Sequence, residues 1–313
     1  MSKIVVLGAD GFIGRHLVNR LASIPTNEII AFDRFSNYLY GNNHPFKKLN
    51  NTRIVSGNFF NKDEVSNSLD GADYVFHLIS STTPAASNND PFIDIDTNIR
   101  GSVELFDLCV TKKVKKVIFI SSGGTVYGDI DSEQINETSL TAPRSPYGIG
   151  KLTIENYLRY FKHHSGLDYI VYRAANPYGP GQNIHSKQGV IPVFLYHYLV
   201  KEPITIFGDG SMVRDYFYID DLVTMVAESY TKGNKFSEYN IGSGIGQSVN
   251  QIISVIEKCT GYEVGKLYAD VPSTYVAKSV LDISRFTSEF GIAPQVNLED
   301  GIQRAWDYVQ SIK

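Results

Sequence analysis

The sequence predicts an α/β fold built on a parallel β-sheet, and two observations lead to this prediction. Short β-branched and aliphatic runs alternate with helix-length periodic segments through the first half of the 313-residue chain, which is the pattern of βαβ units. The runs at Val117–Ser121 and Tyr169–Arg173 are almost continuously apolar, as expected of strands that are covered on both faces. The first half is therefore expected to form a doubly wound sheet with helices on both faces.

The individual elements follow from the same periodicity. Strands are predicted at Ile4–Leu7, Glu28–Phe32, Thr52–Val55, Tyr74–His77, Val117–Ser121 and Tyr169–Arg173. Helices are predicted at Ile13–Ser23, Lys62–Leu69, Asp94–Val110 and Pro146–Phe161. A loop rich in proline and glycine begins at Asn176, and shorter, more mixed elements follow it. We therefore expect a first domain at 1–175 and a second, smaller region at 176–313.

Composition and charge exclude several classes of protein. Charged residues make up 20% of the chain, hydrophobic residues 42%, and the net charge is −4, which is ordinary for a globular protein and offers no basic surface to nucleic acid. Cys109 and Cys259 lie far apart in the chain and form neither a disulfide framework nor a metal-ligand spacing. No apolar run reaches the length of a membrane span, and Met1 leads directly into the first predicted strand. We expect a cytoplasmic protein without a metal, a membrane segment or a nucleic-acid partner.

A glycine-rich turn follows the first predicted strand. It runs from Gly8 to Gly14 with the spacing GxxGxxG and opens the first predicted helix. Glycines let the backbone approach a pyrophosphate, whose charge meets free amide groups at the helix N-terminus. Asp33 ends the second strand, where a carboxylate binds the adenosine ribose diol and repels a 2′-phosphate. The turn and Asp33 together favour NAD as the cofactor, although the neighbouring Arg34 offers a guanidinium that would pair with such a phosphate.

A tyrosine and a lysine lie four residues apart at the start of the fourth predicted helix. At that spacing Tyr147 and Lys151 share one face of the helix. Free tyrosine has a pKa of about 10 and is a poor base at neutral pH, but a neighbouring ammonium stabilises the phenolate and lowers that pKa. The alternative is a surface pair on an amphipathic helix. The glycine turn, the acidic strand end and a Ser-rich strand end precede the pair in that order, which favours a catalytic role.

Together these motifs resemble the extended short-chain dehydrogenase/reductases, specifically the nucleotide-sugar epimerase/dehydratase family, over essentially the whole chain. The motifs are Gly8–Gly14, Val75–Leu78, Ser121–Gly128, Tyr147–Lys151, Arg173–Gly179 and Arg214–Tyr216. The resemblance implies a Rossmann-type sheet with a smaller, partly interleaved C-terminal substrate domain. It implies NAD-dependent C4 epimerisation of a UDP-sugar through a 4-keto intermediate. It also implies a homodimer formed by a four-helix bundle, because the helices at Asp94–Val110 and Pro146–Phe161 carry more apolar surface than one sheet face needs.

The resemblance also implies roles for individual residues. Tyr147 would be the base, and Lys151 would bond the nicotinamide ribose. The other cofactor contacts would come from Gly8, Gly11, Phe12, Ile13, Gly14, Asp33, Arg34, Asn58, Phe59, Leu78, Ile79, Ser80 and Ser121. The substrate would be bound by Gly123, Asn176, Gly189, Val190, Arg214 and Ser279.

Two positions depart from the pattern of the family. Relatives usually carry a Ser or Thr at the position of Gly123, where its hydroxyl bonds the reacting oxygen of the sugar. Ser122 and Thr125 are the neighbouring hydroxyls that would replace it. Relatives often carry an arginine at the position of Pro272, so either Arg214 would hold the diphosphate alone or Lys278 would help it.

The chain lacks the acid–base groups of related reactions on this scaffold. A 4,6-dehydratase needs an Asp-Glu pair, and a decarboxylating relative needs a glutamate, where this chain has Gly124 and Thr125. Elimination therefore lacks its base, whereas epimerisation needs none. A 4-keto nucleotide-sugar reductase and a non-catalytic cofactor-sensing protein are the alternatives. In relatives the position of Ser279 walls the pocket beside the sugar's C2 substituent, and a serine there would admit UDP-GlcNAc and UDP-GalNAc, with UDP-Glc and UDP-Gal as additional substrates.

Overall fold

The computed structural model describes residues 2–35, 46, 48–82, 84–130, 132–185, 189–271 and 276–312. Contacts within the chain divide it into two compact units. Unit 1 comprises Met1–Ser121, Ser145–Tyr172 and Val226–Tyr239, and unit 2 comprises Ser122–Arg144, Arg173–Met225 and Asn240–Lys313. The chain enters unit 2 three times, at Ser122, Arg173 and Asn240, so each unit is built from separate stretches of the sequence.

The bounds of the elements are as follows. The strands are β1 (Ser2–Leu7), β2 (Asn27–Asp33), β3 (Thr52–Ser56), β4 (Tyr74–His77), β5 (Lys116–Ser122), β6 (Asp168–Ala174), β7 (Asn176–Tyr178), β8 (Ile204–Phe207), β9 (Val213–Tyr218), β10 (Glu238–Ile241), β11 (Gly246–Ser248), β12 (Lys266–Ala269) and β13 (Lys278–Ser279). The helices are α1 (Phe12–Ala22), α2 (Lys62–Ser68), α3 (Pro84–Asn89), α4 (Arg100–Thr111), α5 (Gly123–Val126), α6 (Pro146–Ser165), α7 (Val190–Val200), α8 (Ile219–Ser229), α9 (Val249–Thr260), α10 (Ser284–Phe290) and α11 (Leu298–Ser311). A π-helical segment, Asp94–Ile99, precedes α4.

Seven strands form one doubly wound sheet in the order β10–β6–β5–β4–β1–β2–β3. β1 lies between β2 and β4 and is parallel to both, while β3 is parallel to β2 and β5 is parallel to β4. The order of the strands reverses at β1, and ligands of such sheets bind at the carboxyl ends beside the reversal. All six predicted strands are present. β10 is not among the predicted strands.

Helices α4 and α6 cover one face of this sheet. Val117 and Phe119 of β5 are fully buried in a hydrophobic cluster that also contains Phe106 of α4 and Leu158 of α6. Full burial of one such side chain stabilises the fold by about 1.5–3 kcal/mol. The near-continuous burial of β5 explains why its sequence is apolar without alternation.

The segment predicted as one helix at Asp94–Val110 contains two kinds of helix. Residues Asp94–Ile99 are π-helical, and the α-helix begins at Arg100. The side chains of Asp94 and Asn98 are buried, and Asn98 Nδ2 donates a hydrogen bond to Asp94 Oδ1 at 2.7 Å. Single π-helical turns are rare and are frequently found at functional sites.

Helix α6 begins and ends at residues suited to those positions. The Ser145 side chain accepts a hydrogen bond from the backbone N–H of Gly148, and a proline occupies the first turn. The helix extends to Ser165, beyond the predicted end at Phe161, and Gly166 caps it in a left-handed conformation with φ 71°. The start of the helix thereby places Tyr147 in its first turn.

Unit 2 consists of smaller sheets and a group of helices. β11, β9 and β13 form one sheet, β7 pairs with β9, and β8 pairs with β12. Helices α7, α9 and α11 contact one another. β7 and β9 carry Asn176 and Arg214, two of the residues that the resemblance assigns to the substrate.

Two general features of the described residues bear on function. None of their helices combines the length and the apolar composition that crossing a lipid bilayer requires. Within the same part of the chain, no three His, Cys, Asp or Glu side chains cluster in a way that would hold a metal ion. Cys109 is fully buried, and burial raises the pKa of its thiol.

Candidate active site

A cavity in unit 1 lies at the carboxyl ends of β1 to β4, and we call it the long cavity. It is lined by Gly8, Gly11, Phe32, Asp33, Arg34, Gly57, Asn58, Phe59, Phe60, Leu78, Ile79, Ser80 and Ser81. Most of the residues that the resemblance assigns to the cofactor therefore surround one space. Phe12, Ile13 and Gly14 form the first turn of α1 beside it. Ser121 lies at the end of β5, where its hydroxyl donates to Glu155 Oε1 at 2.5 Å.

The glycine turn allows α1 to begin very close to β1. Gly8 has φ +89°, and a Cβ at Gly14 would lie 2.1 Å from the Gly8 carbonyl oxygen, so a larger residue at Gly14 would push the helix away. Gly11 caps the helix without a side-chain hydrogen bond. The backbone N–H groups of the first turn of α1 are thus available to the phosphates of a dinucleotide.

Asp33 connects β2 to the glycine turn. Its Oδ2 accepts a hydrogen bond from the backbone N–H of Asp10 at 2.9 Å, and its Oδ1 accepts one from the N–H of Arg34 at 2.7 Å. Burial raises the pKa of Asp33, although both hydrogen bonds act in the opposite direction. The carboxylate therefore helps to fix the turn and also lines the long cavity, where an adenosine ribose would meet it.

Tyr147 and Lys151 line a second, smaller space in unit 1, which we call the tyrosine pocket. Its lining residues are Ile79, Ser80, Asp94, Asn98, Tyr147, Gly150, Lys151 and Ile154. Lys151 Nζ donates to the Ile120 carbonyl oxygen at 3.1 Å and lies 5.7 Å from the centre of the Tyr147 ring. Ile79 and Ser80 line the long cavity as well, so the two spaces adjoin.

The electrostatics of this pair differ from the prediction. Burial, assisted by the negative charge of Asp94, raises the pKa of Tyr147 to about 12. Burial lowers the pKa of Lys151 to about 8, against the opposing effects of Glu155 and Asp94. The net shift is therefore opposite to the predicted lowering, because desolvation and the charge of Asp94 both raise the pKa of Tyr147. An oxidised nicotinamide ring, when bound, supplies a further positive charge that favours the phenolate.

The structure adds two residues that the sequence analysis misses, Asp94 and Asn98. Asn98 Oδ1 accepts hydrogen bonds from the backbone N–H of Ser81 at 2.9 Å and from the Ser81 hydroxyl at 3.0 Å. Both residues line the tyrosine pocket. Their spacing of four residues was the available signal, because side chains four residues apart can lie on the same face of a helix.

Gly123 of unit 2 has no room for the hydroxyl side chain that the family usually carries there. A Cβ at this position would lie 2.5 Å from Leu281 Cδ1 and 3.0 Å from the Arg173 carbonyl oxygen. The Thr125 hydroxyl donates a long hydrogen bond of 3.4 Å to the carbonyl oxygen of Ser122. A bond of this length holds the hydroxyl only weakly. Both Ser122 and Thr125 therefore stay candidates for the missing contact.

A cavity in unit 2 brings together four residues that the resemblance assigns to the substrate, Asn176, Gly189, Val190 and Arg214. The full lining is Asn176, Pro177, Tyr178, Gln182, Gly189, Val190, Ile191, Pro192, Met212, Arg214 and Tyr216. Asn176 Nδ2 donates to the Asp215 carbonyl oxygen at 3.0 Å, which fixes the side chain. The Tyr216 hydroxyl and Gln182 Oε1 are buried without a hydrogen-bond partner in the described chain.

The remaining predicted substrate positions lie elsewhere. Ser279 is buried on β13, where it is the register partner of Arg214, and it does not line the unit 2 cavity. Gly123 does not line it either. Pro272 lies outside the described residues.

Known proteins are similar to the chain over nearly its whole length. A Thermotoga maritima UDP-glucose 4-epimerase solved with UDP-glucose is similar to the chain with a TM-score of 0.91 and 35% identity, covering 99% of each. A UDP-N-acetylglucosamine 4-epimerase from Methanobrevibacter ruminantium, solved with UDP-N-acetylmuramic acid, is similar with a TM-score of 0.89 and 30% identity, covering 100% of this chain and 99% of its own. An Escherichia coli dTDP-4-dehydro-6-deoxyglucose reductase is 32% identical over 96% of this chain and 95% of its own length.

A family profile matches about three quarters of the chain. The description "NAD dependent epimerase/dehydratase family" applies to residues 4–242, which include the glycine turn, Asp33, the Tyr147–Lys151 pair and Arg214. The chain belongs to the NAD-dependent epimerase/dehydratase family and uses NAD as its cofactor.

Proposed function

We propose that the protein is a UDP-sugar 4-epimerase. The observation that carries the proposal is the position of Tyr147 and Lys151 in a pocket that adjoins the long cavity. NAD, when bound in the long cavity, would supply the acceptor and the donor of the C4 hydride of the sugar. Tyr147 accepts the proton of the C4 hydroxyl during oxidation and gives it back during reduction, while Lys151 stabilises the phenolate and bonds the nicotinamide ribose.

The residues around α5 support epimerisation over elimination. Gly124 and Thr125 provide no carboxylate at the positions where the resemblance places the acid–base groups of a dehydratase, so elimination lacks the base that those relatives use. The sugar would turn over within the site and receive the hydride on its opposite face. Ser122 or Thr125 would bond its reacting oxygen in place of the side chain missing at Gly123.

The unit 2 cavity supports a nucleoside diphosphate as the carrier of the sugar. Arg214 and Asn176 would bind the diphosphate, because a guanidinium forms charge-assisted hydrogen bonds with phosphate oxygens. The buried Tyr216 hydroxyl and Gln182 Oε1 have no partner among the described residues. A uracil base offers carbonyl acceptors and an N–H donor that would match these two groups.

The identity of the sugar is the finer part of the proposal. We infer that UDP-GlcNAc and UDP-GalNAc are substrates, with UDP-Glc and UDP-Gal as additional ones, because the resemblance assigns Ser279 to the wall beside the C2 substituent and serine is small enough to admit an acetamido group. Ser279 is paired in register with Arg214, whose side chain lines the unit 2 cavity. A tyrosine at this position would selectively exclude the acetylated sugars.

A 4-keto nucleotide-sugar reductase is the second candidate. The Escherichia coli reductase, at 32% identity over nearly the whole chain, is the observation that favours it. The two activities differ in stoichiometry, since an epimerase regenerates its NAD in every turnover whereas a reductase consumes one reduced cofactor for each product.

We also propose that the protein is a cytoplasmic homodimer. Ile149, Tyr157 and Tyr160 form an exposed apolar stripe along α6 at helical spacing, and Ile95 of the π-helical segment is 53% exposed. A second copy would cover this stripe in a four-helix bundle. Sedimentation at micromolar concentration that gives twice the chain mass of 34.9 kDa supports the dimer, and the monomer mass contradicts it.

The main experiment incubates purified protein with a panel of UDP-sugars, with and without added NAD, and analyses the products by NMR. C4 epimers that form without net consumption of cofactor support the epimerase. A parallel incubation with dTDP-4-keto-6-deoxyglucose and NADPH tests the reductase. Oxidation of NADPH in that sample, together with no epimer from any UDP-sugar, would replace the proposed function with the second candidate.

A further inference from the structure

Asp94 lies in the π-helical segment of unit 1, and its two carboxylate oxygens have different surroundings. Oδ1 accepts hydrogen bonds from the Thr82 hydroxyl and from Asn98 Nδ2, both at 2.7 Å. Oδ2 is buried and has no hydrogen-bond partner among the residues that the structure describes. The residue as a whole is 3% exposed, so bulk solvent does not satisfy the second oxygen.

The position of Asp94 connects it with the catalytic pair. It lines the tyrosine pocket together with Tyr147 and Lys151. A Cβ at Gly150, the residue before Lys151, would lie 3.5 Å from Asp94 Oδ1, so the carboxylate packs directly against the backbone of α6. Its charge also reaches both members of the pair, raising the pKa of Tyr147 and opposing the lowering of the pKa of Lys151.

The chemistry of a carboxylate at this place calls for a donor on Oδ2. A buried polar atom without a partner costs about 1–3 kcal/mol, and more when the group is charged. The contacts of Oδ1 need only one oxygen, which an asparagine would provide equally well. A carboxylate can accept hydrogen bonds at both oxygens, whereas the asparagine amide can accept at only one. A structural role that uses Oδ1 alone therefore does not explain why this residue is an aspartate.

We propose that Asp94 is a further ligand-binding residue of the active site, whose Oδ2 accepts a hydrogen bond from a hydroxyl of the bound molecules beside Tyr147 and Lys151. The tyrosine pocket adjoins the long cavity through Ile79 and Ser80. A dinucleotide bound in the long cavity would bring a ribose beside this pocket, whose walls are closely packed in this structure and would have to part to admit the ribose and the reacting sugar. The inference rests on the proposed function in taking this pocket as the place where the two molecules meet.

The test compares Asp94→Asn with Asp96→Asn by calorimetric titration. Asp94→Asn keeps the shape and an acceptor for Thr82 and Asn98 but places an N–H₂ donor where Oδ2 stood. Asp96 belongs to the same π-helical segment, is exposed and does not line the tyrosine pocket, so its variant controls for charge and for helix stability. Each protein is titrated with NAD alone, and the NAD-loaded protein is then titrated with UDP-GlcNAc and with UDP.

Two results support the proposal and identify the source of the hydroxyl. If the cofactor ribose donates the hydrogen bond, Asp94→Asn lowers the affinity for NAD about tenfold to hundredfold, as expected for the loss of a hydrogen bond to a charged group. If the sugar donates the hydrogen bond, the affinity for NAD is unchanged. The affinity for UDP-GlcNAc then falls by a similar factor, while the affinity for UDP stays the same. In both cases Asp96→Asn binds like the unaltered protein.

Unchanged affinities of Asp94→Asn for both NAD and UDP-GlcNAc, with an unchanged melting temperature, overturn the proposal. Equal losses in Asp94→Asn and Asp96→Asn overturn it as well, because they indicate an effect of the helix or of net charge. A lowered melting temperature with unchanged affinities would assign Asp94 to folding alone. If the unaltered protein binds no UDP-sugar, the proposed function fails, and the role of Asp94 is then decided by the NAD titration.

Discussion

Lys151 Nζ donates a hydrogen bond to the carbonyl oxygen of Ile120 at 3.1 Å, which joins helix α6 to the end of strand β5. The same ammonium lies 4.8 Å from the centre of the Phe119 ring. Two neighbouring residues of β5 therefore hold the ammonium in place. Tyr147, one helical turn earlier, is thereby held over the carboxyl end of the sheet. The lysine is an anchor of the helix as well as a source of positive charge for the tyrosine.

Replacing Tyr147 with phenylalanine should abolish turnover and leave NAD bound. The variant removes the hydroxyl that accepts the proton and keeps the ring, and general acid–base groups contribute about 10²–10⁴-fold to rate. Lys151→Ala should lose both turnover and NAD affinity, because it removes the ammonium and its anchor on Ile120. Initial rates and calorimetric NAD titrations measure the two effects. A rate of Tyr147→Phe within about tenfold of the unaltered enzyme would assign proton transfer to another residue.

The buried ammonium of Lys151 should make stability rise with pH in the alkaline range. Its pKa is lowered to about 8 from 10.5, so between these values the unfolded chain binds more protons than the folded one. Stability therefore increases as the pH rises through this window. Relative to Lys151→Met, the free energy of unfolding of the unaltered protein should grow by about 1–3 kcal/mol between pH 8 and pH 10. Parallel pH profiles for both proteins in urea unfolding would show that the lysine is not desolvated.

Asp33→Ala should lower the affinity for NAD about tenfold to hundredfold and change the affinity for UDP much less. The substitution removes the carboxylate from the long cavity and also frees the N–H of Asp10, so the glycine turn loses a support. Glu28→Ala, at the other end of β2, is the control. Titrations with NAD and UDP measure the two affinities, and equal losses for both ligands would indicate a general folding defect.

Serine should be harmful at Gly123 and tolerated at Gly124. At Gly123 the new Cβ would meet the buried Leu281 side chain at 2.5 Å and the Arg173 carbonyl oxygen at 3.0 Å, and such overpacking costs about 1–3 kcal/mol. At Gly124 the nearest atom is Asn176 Oδ1 at an ordinary 3.7 Å, so we expect a change within about 0.5 kcal/mol. Urea unfolding of both variants checks this. Equal stability of the two would mean that Leu281 moves aside at little cost.

The sequence predicts the six strands of unit 1 well because each carries a strong local pattern. The apolar run in β5 and the glycine turn before α1 are signals of this kind, and the turn also identifies the cofactor end of the site. The cluster of Asn176, Gly189, Val190 and Arg214 came from the resemblance alone, because these residues lie on separate elements and no local period connects them.

Other features depend on tertiary context that no local pattern contains. The sequence does not reveal which of Asp94 and Asp96 is buried, because a π-helical segment changes the phase of the side chains. The raised pKa of Tyr147 likewise depends on burial and on Asp94, and spacing along α6 shows only its distance from Lys151. Ser279 is buried beside Arg214, and an alignment gives its position along the chain but not its burial.

The most direct test of the proposed epimerisation follows deuterium placed at C4 of the sugar. UDP-glucose and UDP-N-acetylglucosamine labelled at this carbon are incubated with the purified enzyme, and the products are examined by NMR. Because the hydride removed from C4 returns to the same carbon, we predict a C4-inverted product that keeps its deuterium and no accumulation of reduced cofactor. Inversion with loss of the label to water, or no inversion of either sugar, would contradict transient oxidation at C4 by the site around Tyr147.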